Sequence, residues 1–363
     1  MDETNAVTWM TEAIGKATRS AKFCVSGQLP GIDPGIEVDG YGLVKLPLRP
    51  KAAKELIAHG RVAPYGKGTK TLVDTKVRNT FELDPKKLQL STQWDIAIAD
   101  ATRNVAEELG LPADRLEARL YKLLVYQRGG FFLPHRDSEK LKGMVASLIV
   151  VLPGAFDGGA LVVHHESAKR QRFLFDDAAS GQRPDYAAFY ADCEHEVERV
   201  TTGVRVCLAY NLVLRAARKR RSSAGSTPQD SPADQLARSI EAWNATRRAE
   251  PLVFALEHHY TQRGLSQDLL KGADRRIGDL VTAAAENANC CVHLAQVSRH
   301  LCQFADDGSF ERGYGYSGSR GRRSRSSQLT IGETYDDELS ATEWTDIKGK
   351  KQPLGEIAFD TSA

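Results

Sequence analysis

The 363-residue chain sets 49 lysines and arginines against 47 aspartates and glutamates, a formal net charge of +2, so overall charge gives no reason to expect a polyanionic partner. The N-terminus, MDETNAVTWMTEAIGK, lacks the apolar core of a secretory leader, and no run approaches the roughly 18 apolar residues of a membrane span. The six cysteines form no C-x-x-C pair, which argues against a structural zinc site; reduced thiols and a cytoplasmic location are expected, or a nuclear one if the source is eukaryotic.

Residues 1–20 read as a helical lead-in, followed by SGQLPGIDPGIEVDGYG, whose glycines and prolines mark loops. Segments 41–48 and 71–83 read as strands, with the short helix PKAAKELIAHG between them ending at Gly60. Trp94, Ile98, Ala101, Val105 and Leu109 recur at helical spacing, which predicts a helix over 93–109 with Ser91 or Thr92 as its cap and Gly110 as its stop. From Leu120 to Leu214, short apolar strands alternate with glycine, proline and polar loops, with no helix between them, as in a barrel or jelly roll. RAARKRRSSAGSTPQDSPADQ then reads as a solvated linker. PLVFALEHHY and CCVHLAQVS read as strands around a helix near 267–288, and GYGYSGSRGRRSRSSQ as a mobile tail, in particular over 313–327. The expected segments are supporting helices and strands over 1–117, a core over 118–214, a linker over 215–235 and a C-terminal α/β region over 236–363.

The stretch GGFFLPHRDSEK places His135 and Asp137 two positions apart. On an extended strand both side chains project to one side and reach a single ion. On a helix they diverge by about 200°. A second histidine, His195, stands at the entry to another strand, and Arg205 follows in GVRVCLAY, where Val204, Val206 and Leu208 alternate with Arg205, Cys207 and Ala209. An inward-facing arginine calls for a carboxylate, because burying it unpaired costs several kcal/mol. Two histidines and a carboxylate that leave coordination positions open form the facial triad of non-haem Fe(II) oxygenases.

Tyr126, His135-Arg136-Asp137, FDGGAL, His195 and Arg205, in that order, resemble the Fe(II)/2-oxoglutarate dioxygenases of the prolyl-4-hydroxylase type. The resemblance covers Leu120 to Leu214; SGQLPGI and EHHYTQRGLS are similar to a longer frame found in some members. It implies an α+β chain whose core is a double-stranded β-helix (a cupin-like jelly roll) with flanking helices and a smaller C-terminal α/β region. It implies that His135, Asp137 and His195 ligate Fe(II) and form the catalytic set. Arg205 then clamps the distal carboxylate of 2-oxoglutarate by a forked ion pair, and Tyr126 donates a hydrogen bond to the cosubstrate. O2 is consumed, succinate and CO2 are released, and ascorbate serves as reductant.

The favoured substrate is a protein or peptide side chain. The alternatives are the same chemistry on a nucleic acid base or small metabolite, or a binding module that has lost turnover. Against nucleic acid stands the absence of a base-stacking aromatic cluster beside the runs RKRR and RGRRSRSS, which read as solvated charge. Against the module stand the intact triad and Arg205. Gly158 and Gly159 read as a tight turn, and Ser147 is the sole polar residue between Val145 and Leu152. His164, His165, His258 and His259 are expected at the surface or a pocket rim, and Cys193, beside His195, lacks the signature of a catalytic dyad.

Overall fold

In the computed structural model the described residues are 15, 22–67, 70–165, 170–175, 183–215, 231–246, 252–306 and 330–359. Apart from Gly15, the helical lead-in expected over 1–20 falls outside them, as do residues 216–230 of the basic linker and the tail expected over 313–327. The chain packs as two compact units, Met1–Val292 and His293–Ala363. Among the described residues, no helix is long and apolar enough to cross a membrane.

Sheets and helices mix in the first unit. Its main strands, in chain order, are β1 (Cys24–Gln28), β2 (Arg61–Val62), β3 (Arg78–Asn79), β4 (Phe81–Leu83), β5 (Leu116–Gln127), β6 (Phe131–His135) and β7 (Met144–Val151). They continue with β8 (Phe156–Gly158), β9 (Leu161–His164), β10 (Arg170–Phe173), β11 (Asp185–Tyr190), β12 (Glu194–Val197) and β13 (Val200–Leu214). An eight-stranded sheet runs in the order β1-β11-β7-β13-β5-β4-β2, with β8 attached to β13; a five-stranded sheet runs β10-β9-β12-β6-β3. The 15-residue β13 is the spine of the larger sheet. It pairs with β5 on one side, Tyr126 opposite Arg205, and with β7 on the other, Ser147 opposite Asn211. Its residues from Val204 to Leu214 are all buried, so both of its faces are covered.

The helices are α1 (Pro50–Ile57), α2 (Thr92–Leu109), α3 (Pro232–Thr246) and α4 (Gly272–Asn287). The ends of α2 follow from its sequence. The Ser91 hydroxyl accepts from the Trp94 N–H, and Gly110 closes the helix at φ 69°, a conformation open to glycine without a Cβ penalty. Its apolar stripe is buried, and the Trp94 indole N–H donates to the Tyr210 hydroxyl of β13 at 2.9 Å.

Three expectations change. Over 41–48 only Gly42–Leu43 is strand. Residues 252–260 form no strand although their burial alternates. The N–H groups of Glu257 and His258 donate instead to the Asp274 carboxylate at the start of α4, at 2.8 and 3.0 Å, so those donors are spent without a neighbouring strand. Third, α3 begins at Pro232, within the stretch read as linker; Leu236 and Ile240 pack on Ile277 and Val281 of α4.

The second unit is a three-stranded antiparallel sheet, β14 (His293–Asp306), β15 (Thr330–Asp346) and β16 (Ile357–Phe359), with β15 central. Arg299 on β14 makes a forked pair with Asp337 on β15, at 2.7 and 2.6 Å.

Candidate metal centre

The site begins with register. His135 ends β6 and pairs with His195 on β12, which brings their ring centroids to 4.2 Å. The strand stops at His135, so Asp137 lies just beyond it in the following loop, not on the strand as its spacing implied. A hydroxyl holds it there: Ser147 on β7 donates to Asp137 Oδ2. Asp137 Oδ2 is also 3.7 Å from His195 Nε2. Ligand atoms of His135, Asp137 and His195 all lie within 4.8 Å of one another, a spacing that suits one metal ion.

Each imidazole is oriented by a carbonyl two residues upstream in its own chain. His135 Nδ1 contacts the Leu133 oxygen at 2.8 Å, and His195 Nδ1 contacts the Cys193 oxygen at 3.1 Å. A carbonyl only accepts, so Nδ1 donates in both rings, and Nε2 is the nitrogen each ring has to offer a metal. Burial, with the neighbouring His195 adding to it, pushes the His135 imidazole down to about 3, so it is neutral at physiological pH. Burial alone would raise the Asp137 carboxyl, but His195, His135 and the Ser147 hydroxyl outweigh it and hold the carboxyl below its ordinary value.

Arg205 is fully buried. Its Nη1 points to the Cys207 sulfur at 3.4 Å, whereas Nε and Nη2 have no hydrogen-bond partner among the described residues. Its guanidinium carbon lies 5.3 Å from the centroid of the Tyr126 ring, which is itself 2 % exposed, and 5.7 Å from that of Phe175. The turn that carries FDGGAL makes room for it. Gly159 has φ +67°, and a Cβ there would come within 2.9 Å of Arg205 Cδ. These features fit a bound dicarboxylate: a guanidinium shielded from water, with two N–H-bearing nitrogens to offer.

A cavity of about 210 Å³ adjoins Asp137, lined by Met144, Val145 and Ala191 on one side and Tyr260, Leu269 and Lys271 on the other. Its second wall belongs to a stretch whose role sequence reasoning missed. Asp192 accepts from Lys271 Nζ at 2.7 Å and pairs with His258 Nδ1 at 3.0 Å, all three nearly buried. Two histidines expected at the surface or rim are therefore inside: the His258 side chain is 3 % exposed and that of His165 is 6 % exposed, packed on Phe23. His259 does lie at the cavity's edge. The Cys193 thiol is buried, which raises it well above its ordinary value and away from nucleophilic use. Ser147 was visible in sequence as a lone polar residue in an apolar strand. Arg78, buried beside Phe132, was not singled out, because one arginine in VRNT reads as a solvated strand position.

Residues 121–213 match the sequence profile described as the 2OG-Fe(II) oxygenase superfamily. That segment, about a quarter of the chain, contains His135, Asp137, His195, Tyr126 and Arg205, and over it the chain is similar to the 2OG-Fe(II) oxygenases. Fe(II) and 2-oxoglutarate are the cofactor and cosubstrate of that family. Among solved structures, the chain is similar to a 2OG-Fe(II) oxygenase family oxidoreductase from Burkholderia pseudomallei (18% identity, 59% of this chain and 94% of that one, TM-score 0.32). It is also similar to a Pseudomonas putida prolyl-4-hydroxylase (17%, 57% and 99%, TM-score 0.34). A third is a Trichoplax adhaerens prolyl hydroxylase in complex with a hypoxia inducible factor peptide fragment (11%, 58% and 91%, TM-score 0.32). No curated protein matches the chain.

Proposed function

We propose that the chain hydroxylates a protein or peptide side chain, and that its two main sheets are the two halves of a double-stranded β-helix. The observation that carries the chemistry is the fully buried Arg205, with two nitrogens unpartnered among the described residues, in the same unit as a His-Asp-His triad. In this reading the Nε2 atoms of His135 and His195 and a carboxylate oxygen of Asp137 hold Fe(II). Arg205 takes the distal carboxylate of 2-oxoglutarate, and the Tyr126 phenol donates to the cosubstrate. When bound, the metal and cosubstrate supply, with O2, the oxidising power for C–H hydroxylation, and succinate and CO2 leave.

The chain's own residues set the conditions. Nδ1 tethers keep both rings aimed; Ser147 keeps the Asp137 carboxylate turned toward His195; the buried strands around Arg205 exclude water. The size of the cavity supports a side chain as substrate, since about 210 Å³ falls below the ~300–1,000 Å³ typical of pockets that enclose a whole small ligand. Its polar lining is largely paired internally: Lys271 with Asp192, Tyr260 with Asp274, Thr261 with Glu139. What remains for a ligand is mainly apolar.

Anaerobic titration of the protein with Fe(II) and then 2-oxoglutarate tests the chemistry. The chelate's weak visible charge-transfer band is expected, with succinate released once O2 is admitted. Neither band nor succinate would refute it.

A further inference from the structure

On β13, Arg205, Cys207, Ala209, Asn211 and Val213 share one face, and Tyr210, which accepts from Trp94 of α2, marks the other. Ser147 of β7 lies directly opposite Asn211, so the two side chains project to the same side of the sheet. That side is the metal side, because Ser147 donates to Asp137. Six positions of strand, roughly 20 Å, separate Asn211 from Arg205. The triad's carboxylate is thus tied to the Asn211 end, and the guanidinium stands at the other.

Asn211 is 4 % exposed, yet among the described residues its carboxamide has no hydrogen-bond partner. Two residues toward Arg205, Ala209 lies opposite Ile149, the one residue of β7 that is only partly buried, so the space over this part of the sheet is open. Two residues the other way, Val213 packs with Met144 and Ala191, which line the cavity beside Asp137. Arg119 of β5, opposite Asn211 on its second side, is 54 % exposed and pairs with Glu117. The cross-strand row Ser147, Asn211, Arg119 therefore runs from the metal side out to solvent, with the carboxamide in the middle.

The polar groups around it are already engaged: Lys271 with Asp192, Tyr260 with Asp274, Thr261 with Glu139, Arg119 with Glu117. Asn211 brings no charge and offers an N–H donor beside a C=O acceptor. An amide, with its own acceptor and donor, satisfies both. A carboxylate or phosphate accepts only, and would leave the Asn211 oxygen desolvated without a donor, at a cost.

We propose that Asn211 is a specificity-determining residue: its carboxamide pairs with a backbone amide of the substrate peptide, next to the side chain that enters the cavity. This rests on the function proposed above. The test offers the full chain, with Fe(II) and 2-oxoglutarate, a pool of acetylated, amidated peptides of random sequence, and reads the added oxygen and its position by mass spectrometry. The peptide hydroxylated best is compared with its two ester analogues, in which one or the other amide N–H flanking the modified residue is replaced by oxygen, in wild type, Asn211→Leu and Asn211→Ala. Losing two neutral hydrogen bonds corresponds to about tenfold higher KM for the amide peptide in Asn211→Leu. One of the esters should raise KM in wild type but not in Asn211→Leu, where the partner of the missing N–H is already gone. Binding of 2-oxoglutarate to the Mn(II)-loaded variant should change little, and its melting temperature should be no lower than wild type, since no hydrogen bond within the chain is lost.

An unchanged KM in Asn211→Leu, ester losses equal in wild type and variant, or an equal loss of 2-oxoglutarate affinity would each overturn the proposal. A melting temperature far below wild type in both variants would make the carboxamide a structural group and overturn it too; a drop confined to leucine moves the same comparison to alanine. If wild type binds 2-oxoglutarate but hydroxylates no peptide of the pool, or oxidises a single-stranded oligonucleotide instead, the peptide function beneath the proposal falls, a distinguishable result.

Discussion

At the scale of single residues, Arg205 separates this site from a generic metal centre. On the function proposed, Arg205→Ala removes a forked, charge-assisted contact to the cosubstrate from a fully buried position, worth roughly 1.5–3 kcal/mol. At about 1.4 kcal/mol per tenfold, 2-oxoglutarate affinity should fall on the order of 10- to 100-fold, with metal affinity little changed. Lysine should restore only part of the loss, since a point charge does not reproduce the fork. Titration of the metal-loaded variants checks this; equal loss of metal and cosubstrate would instead make Arg205 a structural residue. Asp137→Ala should abolish 2-oxoglutarate turnover in a protein whose circular dichroism is unchanged. Gly159→Ala tests the room around Arg205. Its φ of +67° costs a side chain about 1–2 kcal/mol, which should lower the melting temperature. The added methyl, 2.9 Å from Arg205 Cδ, should weaken 2-oxoglutarate binding as well. A variant with wild-type cosubstrate affinity would show that the arginine moves aside freely.

At the scale of elements, the turn before β12 is pinned from a distant part of the sequence. Asp192 belongs to that turn, next to the Cys193 carbonyl that orients His195, while Lys271 precedes α4. Lys271→Met leaves a buried carboxylate short of its cation and should cost about 3–5 kcal/mol in urea unfolding. Burial would raise the Asp192 carboxyl, but His258 and Lys271 outweigh it and hold the carboxyl well below its ordinary value. The resulting stability is present above the unfolded carboxyl value of about 3.9 and is lost as pH falls toward the lower folded value. The gap between wild type and Asp192→Asn should therefore be full at neutral pH and narrow below about pH 4. A gap that is constant with pH would show that the aspartate contributes by packing alone.

At the scale of the whole molecule, the matched segment 121–213 holds the candidate ligands and the groups that touch them, Ser147 and the Leu133 and Cys193 carbonyls, but not the outer packing. Arg78, Thr80 and α2 come from before it, and Tyr260, Lys271 and Asp274 from after it. A chain ended at Val292 should bind Mn(II) and 2-oxoglutarate as the full chain does, whereas one ended at Arg215 should unfold or bind weakly; equal binding by both would show that the later supports are dispensable. The division explains what was legible in sequence. His135, Asp137, His195, Arg205 and helix α2 carry local signatures: fixed spacing, alternation, a cap and a stop. Arg78 and the Asp192-Lys271-His258 cluster carry none, because each acquires its meaning from a partner far away in the chain. Residues 252–260 misled for a related reason: an alternating pattern reports an extended backbone, and here a carboxylate replaces the neighbouring strand.

The two carbonyls that aim His135 and His195 belong to the backbone of Leu133 and Cys193, and no substitution of those side chains deletes them. Ring orientation is thereby insulated from point mutation at the positions that provide it. The Leu133 side chain is exposed, whereas that of Cys193 is buried. The aim of the histidines is inherited from the path of the strands, so drift at these two positions leaves it intact and changes in register are what would spoil it.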